Sequence, residues 1–314
     1  MSGVAKSALR LAGLLWAGLL LLPTASSAQS TAAHPPLWRV QHGTSTVYLF
    51  GSLHVLPKDY VWTTPQIEAA KQASDRFVFE VAVDEAALKD EKQFIIEHGI
   101  LAKRQTLRGV LSGNEFQTYS AVLRHAGMKE EQFERFRPWL AGVVLGLAYL
   151  HGDDLNSLRG ADDDLMDYAR NHGRTLTYLE SVRDQMQLLT NVAEPEQLKA
   201  LKTMLVSLRG SRNQEQALLR LWASGDAARL SALLDAYFSR HPDAQDLLVN
   251  ARNRNWLPVI RDSLARENGT TMITVGAAHI GGRNGLVALL CGEAYAVELV
   301  GENQSGQNAC GPES

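Results

Sequence analysis

Near each end of this 314-residue chain an apolar, strand-like segment runs into Gly-x-x-His, and this recurrence constrains the fold more than any other feature. The first copy is Tyr48-Leu49-Phe50-Gly51-Ser52-Leu53-His54, followed later by Phe79-Glu80. The second is Ile273-Thr274-Val275-Gly276-Ala277-Ala278-His279, followed by Val297-Glu298. β-branched and aromatic residues favour strands, and a glycine just past a strand lets the backbone turn tightly or lets another group come close. Two copies 225 residues apart predict one sheet whose sequence-distant strands meet. The expected fold class is α/β: a central mixed or mostly parallel sheet built from N- and C-terminal strands, with large helical insertions. We read one such domain over 37–300, with two independent domains as the alternative.

The rest of the chain fits this frame. Leu37 to Val40 and Thr46 to Phe50, on either side of a turn at Gln41 to Ser45, predict a β-hairpin. Pro65 to Ser74 reads as a helix and Arg76 to Ala82 as a short strand carrying Glu80. From about Asp84 to Gly152, and again from Ser181 to Glu267, apolar residues recur at helical spacing. Between these blocks, Gly160 to Asn171 predicts a helix opened by Asp162, Asp163 and Asp164, and Thr175 to Leu179 a strand ending at Glu180. A strand over Thr271 to Val275, a helix over Asn284 to Leu290 and a strand over Tyr295 to Val300 complete the series.

Lys6 and Arg10, an apolar run over Leu11 to Leu22 and the small residues Ser26-Ser27-Ala28 predict a secretory signal over 1–28. The run is shorter than the roughly 20 residues a membrane span needs, so no stable membrane insertion is expected after cleavage. A short leader over 29–36 and a flexible tail over 301–314 bound the domain. Cleavage removes two of the 31 basic residues against 34 acidic ones, moving the net charge from −3 to −5. That balance argues against a nucleic-acid partner, which phosphate contacts would require to be basic. Cys291 and Cys310 are the only cysteines. In an exported, periplasmic chain they predict a disulfide, whereas a zinc pair would call for a CxxC or a nearby His.

Ligands in open α/β sheets bind beyond the carboxyl ends of the strands. His54 and His279 follow such ends, and Glu80 and Glu180 close two further strands. If these strands are parallel neighbours, two imidazoles and two carboxylates share one pocket, a donor set suited to Zn, Mn, Co or Fe. Such an ion with an open position can activate water for hydrolysis. Each residue also has a plainer reading: a structural imidazole for the histidines, a solvent-facing strand residue for Glu80, a helix cap for Glu180. Apolar neighbours of Glu80 are expected to raise its pKa and suit it to general-base work near neutral pH. Arg252 and Asn253 can steady substrate charge, or belong to a solvated basic turn beside Trp256. Asp162, Asp163 and Asp164 are consecutive on a helix and do not face one way, so they are expected to complement the helix dipole. No Gly-x-Ser-x-Gly elbow, P-loop or dinucleotide fingerprint is present, which argues against a serine hydrolase, an NTPase or a Rossmann oxidoreductase.

Taken in order, Leu37-Trp38-Arg39-Val40, Val47 to Pro57, Phe79-Glu80, Gly160-Ala161-Asp162, Tyr178-Leu179-Glu180 with Gln185, Arg252-Asn253 with Trp256, and Val275 to Gly282 with Gly285 resemble the successive motifs of the TraB/GumN family. That family is related to the Tiki metalloproteases and, more distantly, to erythromycin-esterase-like and ChaN-like proteins. The resemblance implies a hydrolase site in which His54, His279 and Glu80 are the functional residues and Mn or Co the metal, with Zn a third candidate. Glu180, Arg252 and Asn253 match further family motifs. Gly51-Ser52 stands where Gly-Thr is commoner, and Ala278 where Gly is frequent. The implied partner is a peptide or small-molecule substrate. Two other functions follow from the same resemblance: a non-catalytic protein that binds or sequesters a peptide, or an accessory protein of exopolysaccharide production. Haem binding of the ChaN-like kind is a further alternative.

Overall fold

The computed structural model describes residues 33–57, 59–151, 159–207, 212–239, 242–301 and 307–310. The expected signal over 1–28 lies outside them. The described chain forms two compact units, a sheet unit drawn from Ala25–Glu80, Arg159–Leu179 and Ala217–Ser314, and a helical unit drawn from Val81–Leu158 and Glu180–Gln216.

The sheet unit holds seven strands: β1 (Leu37–His42), β2 (Ser45–Ser52), β3 (Arg76–Phe79), β4 (Thr175–Tyr178), β5 (Thr270–Gly276), β6 (Val297–Val300) and β7 (Gln307–Asn308). Their order is β4-β3-β5-β2-β1-β6-β7. β4, β3, β5 and β2 run parallel to one another. β1 is antiparallel to β2 and β6, and β6 is antiparallel to β7. The sheet is therefore mixed and mostly parallel, with the C-terminal β5 in its middle between two N-terminal strands. β1 and β2 form the expected hairpin, tightened to a turn at Gly43 and Thr44; Gly43 adopts φ 57°, a left-handed conformation that glycine takes without steric cost.

Alternation along the strands divides the core into two faces. Val47, Leu49, Val78, Ile273 and Val275 pack with Trp256, Ile260 and Leu264 of α4 (Ala251–Leu264) and with Leu286 and Leu290 of α5 (Leu286–Gly292). On the opposite face Phe77 meets Tyr168 of α2 (Ala161–Asn171), Phe50 stacks on Trp62, and α1 (Pro65–Ala73) lies against β5. Burying each such side chain contributes about 1.5–3 kcal/mol. Thr64 caps α1 by accepting from the Ile67 N–H, with Pro65 at the first helical position. Between α2 and α4 lies α3 (Ala227–Phe238), capped by Asp226.

The helical unit includes helices Glu85–His98, Gly113–His125, Pro138–His151, Val182–Thr190 and Glu194–Ser207. Its core joins Phe94, Tyr119, Leu123, Leu140, Leu145, Met186 and Leu201. The block read as uniformly helical from Ser181 to Glu267 is thus divided: its first part belongs to this unit and its later helices to the sheet unit. Among the described residues no helix is long and apolar enough to cross a membrane. Cys291 and Cys310 form a disulfide that ties the segment after β6 to α5.

Candidate functional site

The two Gly-x-x-His segments lie side by side at the carboxyl edge of the sheet. In the parallel register of β2 and β5, Gly51 is opposite Val275 and Ser52 opposite Gly276. A Cβ on Gly51 would stand 3.0 Å from the Ala277 Cα and 3.1 Å from Ile280 Cγ1. A Cβ on Gly276 would stand 3.0 Å from His54 Nε2 and 3.4 Å from Glu80 Oε1. Each motif's glycine therefore clears the space that the other motif occupies.

His54 Nε2 and His279 Nε2 are each 3.8 Å from the same atom, Glu80 Oε1. Glu80 follows β3, the neighbour of β5, so three strand ends deliver these three side chains to one point. His279 is 0 % exposed and Glu80 4 %. Oε1 of Glu80 accepts the Gly276 N–H at 2.7 Å, and Oε2 accepts from Arg252 at 2.6 Å.

Hydrogen-bond chemistry fixes the state of His279. The Asn253 amide nitrogen donates to the backbone carbonyls of His279 (3.1 Å) and Asn284 (2.8 Å), so its Oδ1 faces His279 Nδ1 at 2.6 Å and accepts a proton carried there. Arg252 can only donate, so at 3.2 Å from Nε2 it meets a lone pair. The ring is neutral, and burial together with the Arg252 charge holds its pKa well below the usual histidine value. The Arg252 guanidinium also donates to the Leu248 carbonyl and lies 4.6 Å over the Trp256 ring. Leu248 belongs to the π turn Asp246–Asn250 that leads into α4; π turns often occur at functional sites.

At His54, Nδ1 is 3.0 Å from Asp162 Oδ2, while Nε2 is buried with no hydrogen-bond partner. Burial opposes a charged imidazole, but the Asp162 carboxylate, with Glu80 and Asp163 behind it, outweighs burial and raises His54 to about 9.

Several expectations change here. Burial does push the Glu80 carboxyl upward, but the charges of Arg252 and His54 and the Gly276 N–H outweigh it and bring the group down to about 2. Glu80 is thus held as an anion by its neighbours rather than raised by its apolar surroundings. Arg252 and Asn253, expected to meet substrate charge or solvent, are 2 % and 0 % exposed and are bonded inward. The parallel between the two copies stops at Glu298, which pairs with Arg39 across the β1–β6 ladder. Glu180 directly follows Leu179 and opens the second segment of the helical unit. Asp163 accepts from the Gly160 N–H, and Asp164 from Trp62 Nε1 and Arg159, so the three consecutive aspartates point three ways. Asp162 is the functional candidate that sequence reasoning passed over. Its signal was the glycine two residues before it.

The profile of the TraB/PrgY/gumN family matches residues 36–299. The chain belongs to that family. The match runs from the first residue before β1 to within β6, so it takes in both Gly-x-x-His segments, Glu80, Asp162, Arg252 and Asn253. A search of curated proteins and a search of solved structures each found no match to this TraB/PrgY/gumN family chain.

Proposed function

We propose that this TraB/PrgY/gumN family member is a metal-dependent hydrolase cleaving a peptide or amide bond, exported to the oxidising periplasm. The observation that carries the reading is the convergence of His54 Nε2 and His279 Nε2 on Glu80 Oε1. The Cys291–Cys310 disulfide supports an oxidising compartment.

Among the described residues no three His, Cys, Asp or Glu side chains enclose an ion as they stand. The donors nonetheless fit one. His54 Nε2 is a buried nitrogen without a partner, and the bare Gly276 leaves the space beside it open. Both Nδ1 atoms are held by outer acceptors, the usual support of metal-bound histidines. Two bonds of about 2.1 Å span the 3.8 Å nitrogen–oxygen gaps. His54, His279 and Glu80 would hold the ion, with Mn or Co expected and Zn a third candidate, since imidazole with carboxylate suits all three.

When bound, such an ion supplies a Lewis acid that polarises a carbonyl and acidifies a water. The chain's own residues prepare the place. Arg252 keeps Glu80 ionised, so a negative oxygen always stands between the imidazoles. Asn253 keeps the His279 proton on Nδ1 and directs Nε2 inward. The guanidinium that donates into that Nε2 must yield for a ligand bond to form there, which makes Arg252 a competitor as well as a support. His54, the most exposed of the three, marks the side from which a substrate approaches.

The test is metal analysis of the purified chain, with turnover of a peptide mixture measured before and after chelation. A bound divalent ion, activity lost on chelation and activity restored by Mn or Co are expected. Product formation that ignores the chelator would overturn the metal, and saturable peptide binding without product would favour the sequestering function.

A further inference from the structure

Asp162 lies in the first turn of α2, where acidic residues commonly complement the helix dipole and face solvent. Here its carboxylate is turned onto the His54 ring instead. We propose that Asp162 is a positioning residue for the centre: it holds a proton on His54 Nδ1 and aims Nε2, whose own proton an ion would displace, toward Glu80. The assignment rests on the reading of His54 as an ion ligand.

Five features support it. The start of α2 is fastened to the His54 loop on both sides, through Ala161 N–H to the Leu53 carbonyl at 3.1 Å and Leu56 N–H to the Arg159 carbonyl at 2.9 Å. The approach requires a glycine, because a Cβ on Gly160 would lie 2.5 Å from the His54 carbonyl carbon and 2.6 Å from its Cα. Asp163 accepts from the Gly160 N–H and Asp164 from Trp62 Nε1, whereas the Asp162 carboxylate faces His54 Nδ1. Its second oxygen, Oδ1, is buried without a hydrogen-bond partner, an unfavourable placement that dipole compensation at a solvated helix end would not require. The arrangement also matches the other imidazole: His279 has Asn253, from the first turn of α4, as its Nδ1 acceptor. A carboxylate–histidine pair of this kind sets the ring tautomer and orientation of a metal ligand.

The test compares the wild-type chain with Asp162→Ala and the isosteric Asp162→Asn, metal-free and with 15N-labelled histidine. Two readouts are taken: the imidazole nitrogen and proton resonances, and affinity for Mn2+ alone. Wild type is expected to show a hydrogen-bonded Nδ1–H at His54 that disappears in Asp162→Ala and shifts in Asp162→Asn. Mn2+ affinity should fall about 10- to 100-fold in the Ala variant and less in the Asn variant. The His279 Nδ1–H signal, held by Asn253, reports that the fold is intact; if the Ala variant loses it, Asp162→Asn carries the test. An unchanged His54 spectrum, or unchanged Mn2+ affinity in both variants, overturns the proposal. Should the wild-type chain bind no Mn2+, the metal reading falls by itself, and loss or retention of the His54 Nδ1–H in the variants still decides the role of Asp162.

Discussion

Gly276 and the His54 ring contend for one volume: a side chain on the first would press against Nε2 of the second at 3.0 Å. Gly276→Ala must therefore displace His54 or the end of β5 by a few tenths of an ångström. A misplacement of about 1 Å at a reacting centre can lower rates by about 10²-fold. We expect a smaller loss, on the order of 10-fold, in kcat/KM with a modest change in thermal midpoint, measured side by side by steady-state kinetics and calorimetry. Wild-type kinetics would show that the two motifs tolerate each other's displacement.

The Glu80–Arg252 pair is buried, and removing one partner strands the other's charge. Breaking such pairs costs about 3–5 kcal/mol. Glu80→Gln and Arg252→Met should each lose stability on that scale in urea unfolding, and the double variant should recover part of the loss. Strict additivity would mean that the pair is not coupled.

In the helical unit, burial raises Glu91 to about 8, and its Oε1 has no hydrogen-bond partner. The folded chain keeps this proton at neutral pH, whereas an unfolded one releases it near the ordinary value of 4.5. Stability contributed by the neutral form is therefore intact below pH 4.5, declines as pH rises toward 8 and is flat beyond. Glu91→Gln should remove that slope and stabilise the chain at pH 8.5 by on the order of 4 kcal/mol. Urea midpoints at pH 5 and 8.5 check both points, and a parallel pH dependence in the two proteins would contradict the assignment.

The Cys291–Cys310 bridge closes a sequence separation of 19 residues. A loop of that size contributes about 3 kcal/mol, chiefly through the unfolded chain. Replacing both cysteines by serine should lower the thermal midpoint by a few degrees while leaving the His54–Glu80–His279 arrangement unchanged, since the bridge lies at the β6–β7 edge. Differential scanning calorimetry measures the loss.

Local chemistry made much of the architecture readable. β-branched and aromatic residues on either side of a turn gave the β1–β2 hairpin, and the repeated glycine before His54 and His279 foretold that distant strands meet. The electrostatics were not readable in the same way. Glu80 lies in an apolar run, which suggested a raised pKa, but the groups that decide it, Arg252 and the Gly276 N–H, are 172 and 196 residues away. The contact of Asp162 with His54 was hidden for a related reason. Helical spacing does show that three consecutive carboxylates diverge, but it does not show which one a neighbouring loop will meet. The π turn before α4 left no local signature in the sequence.

The position of β5 has a kinetic corollary. The strand that completes the parallel core is made only when the ribosome has passed Gly276, so an emerging N-terminal fragment carries β2 and β3 with a bare edge on each. Exposed edges of this kind recruit other chains, and native pairing across more than two hundred residues is slow to establish. A polypeptide wired this way is best kept from pairing its open edges until it is whole.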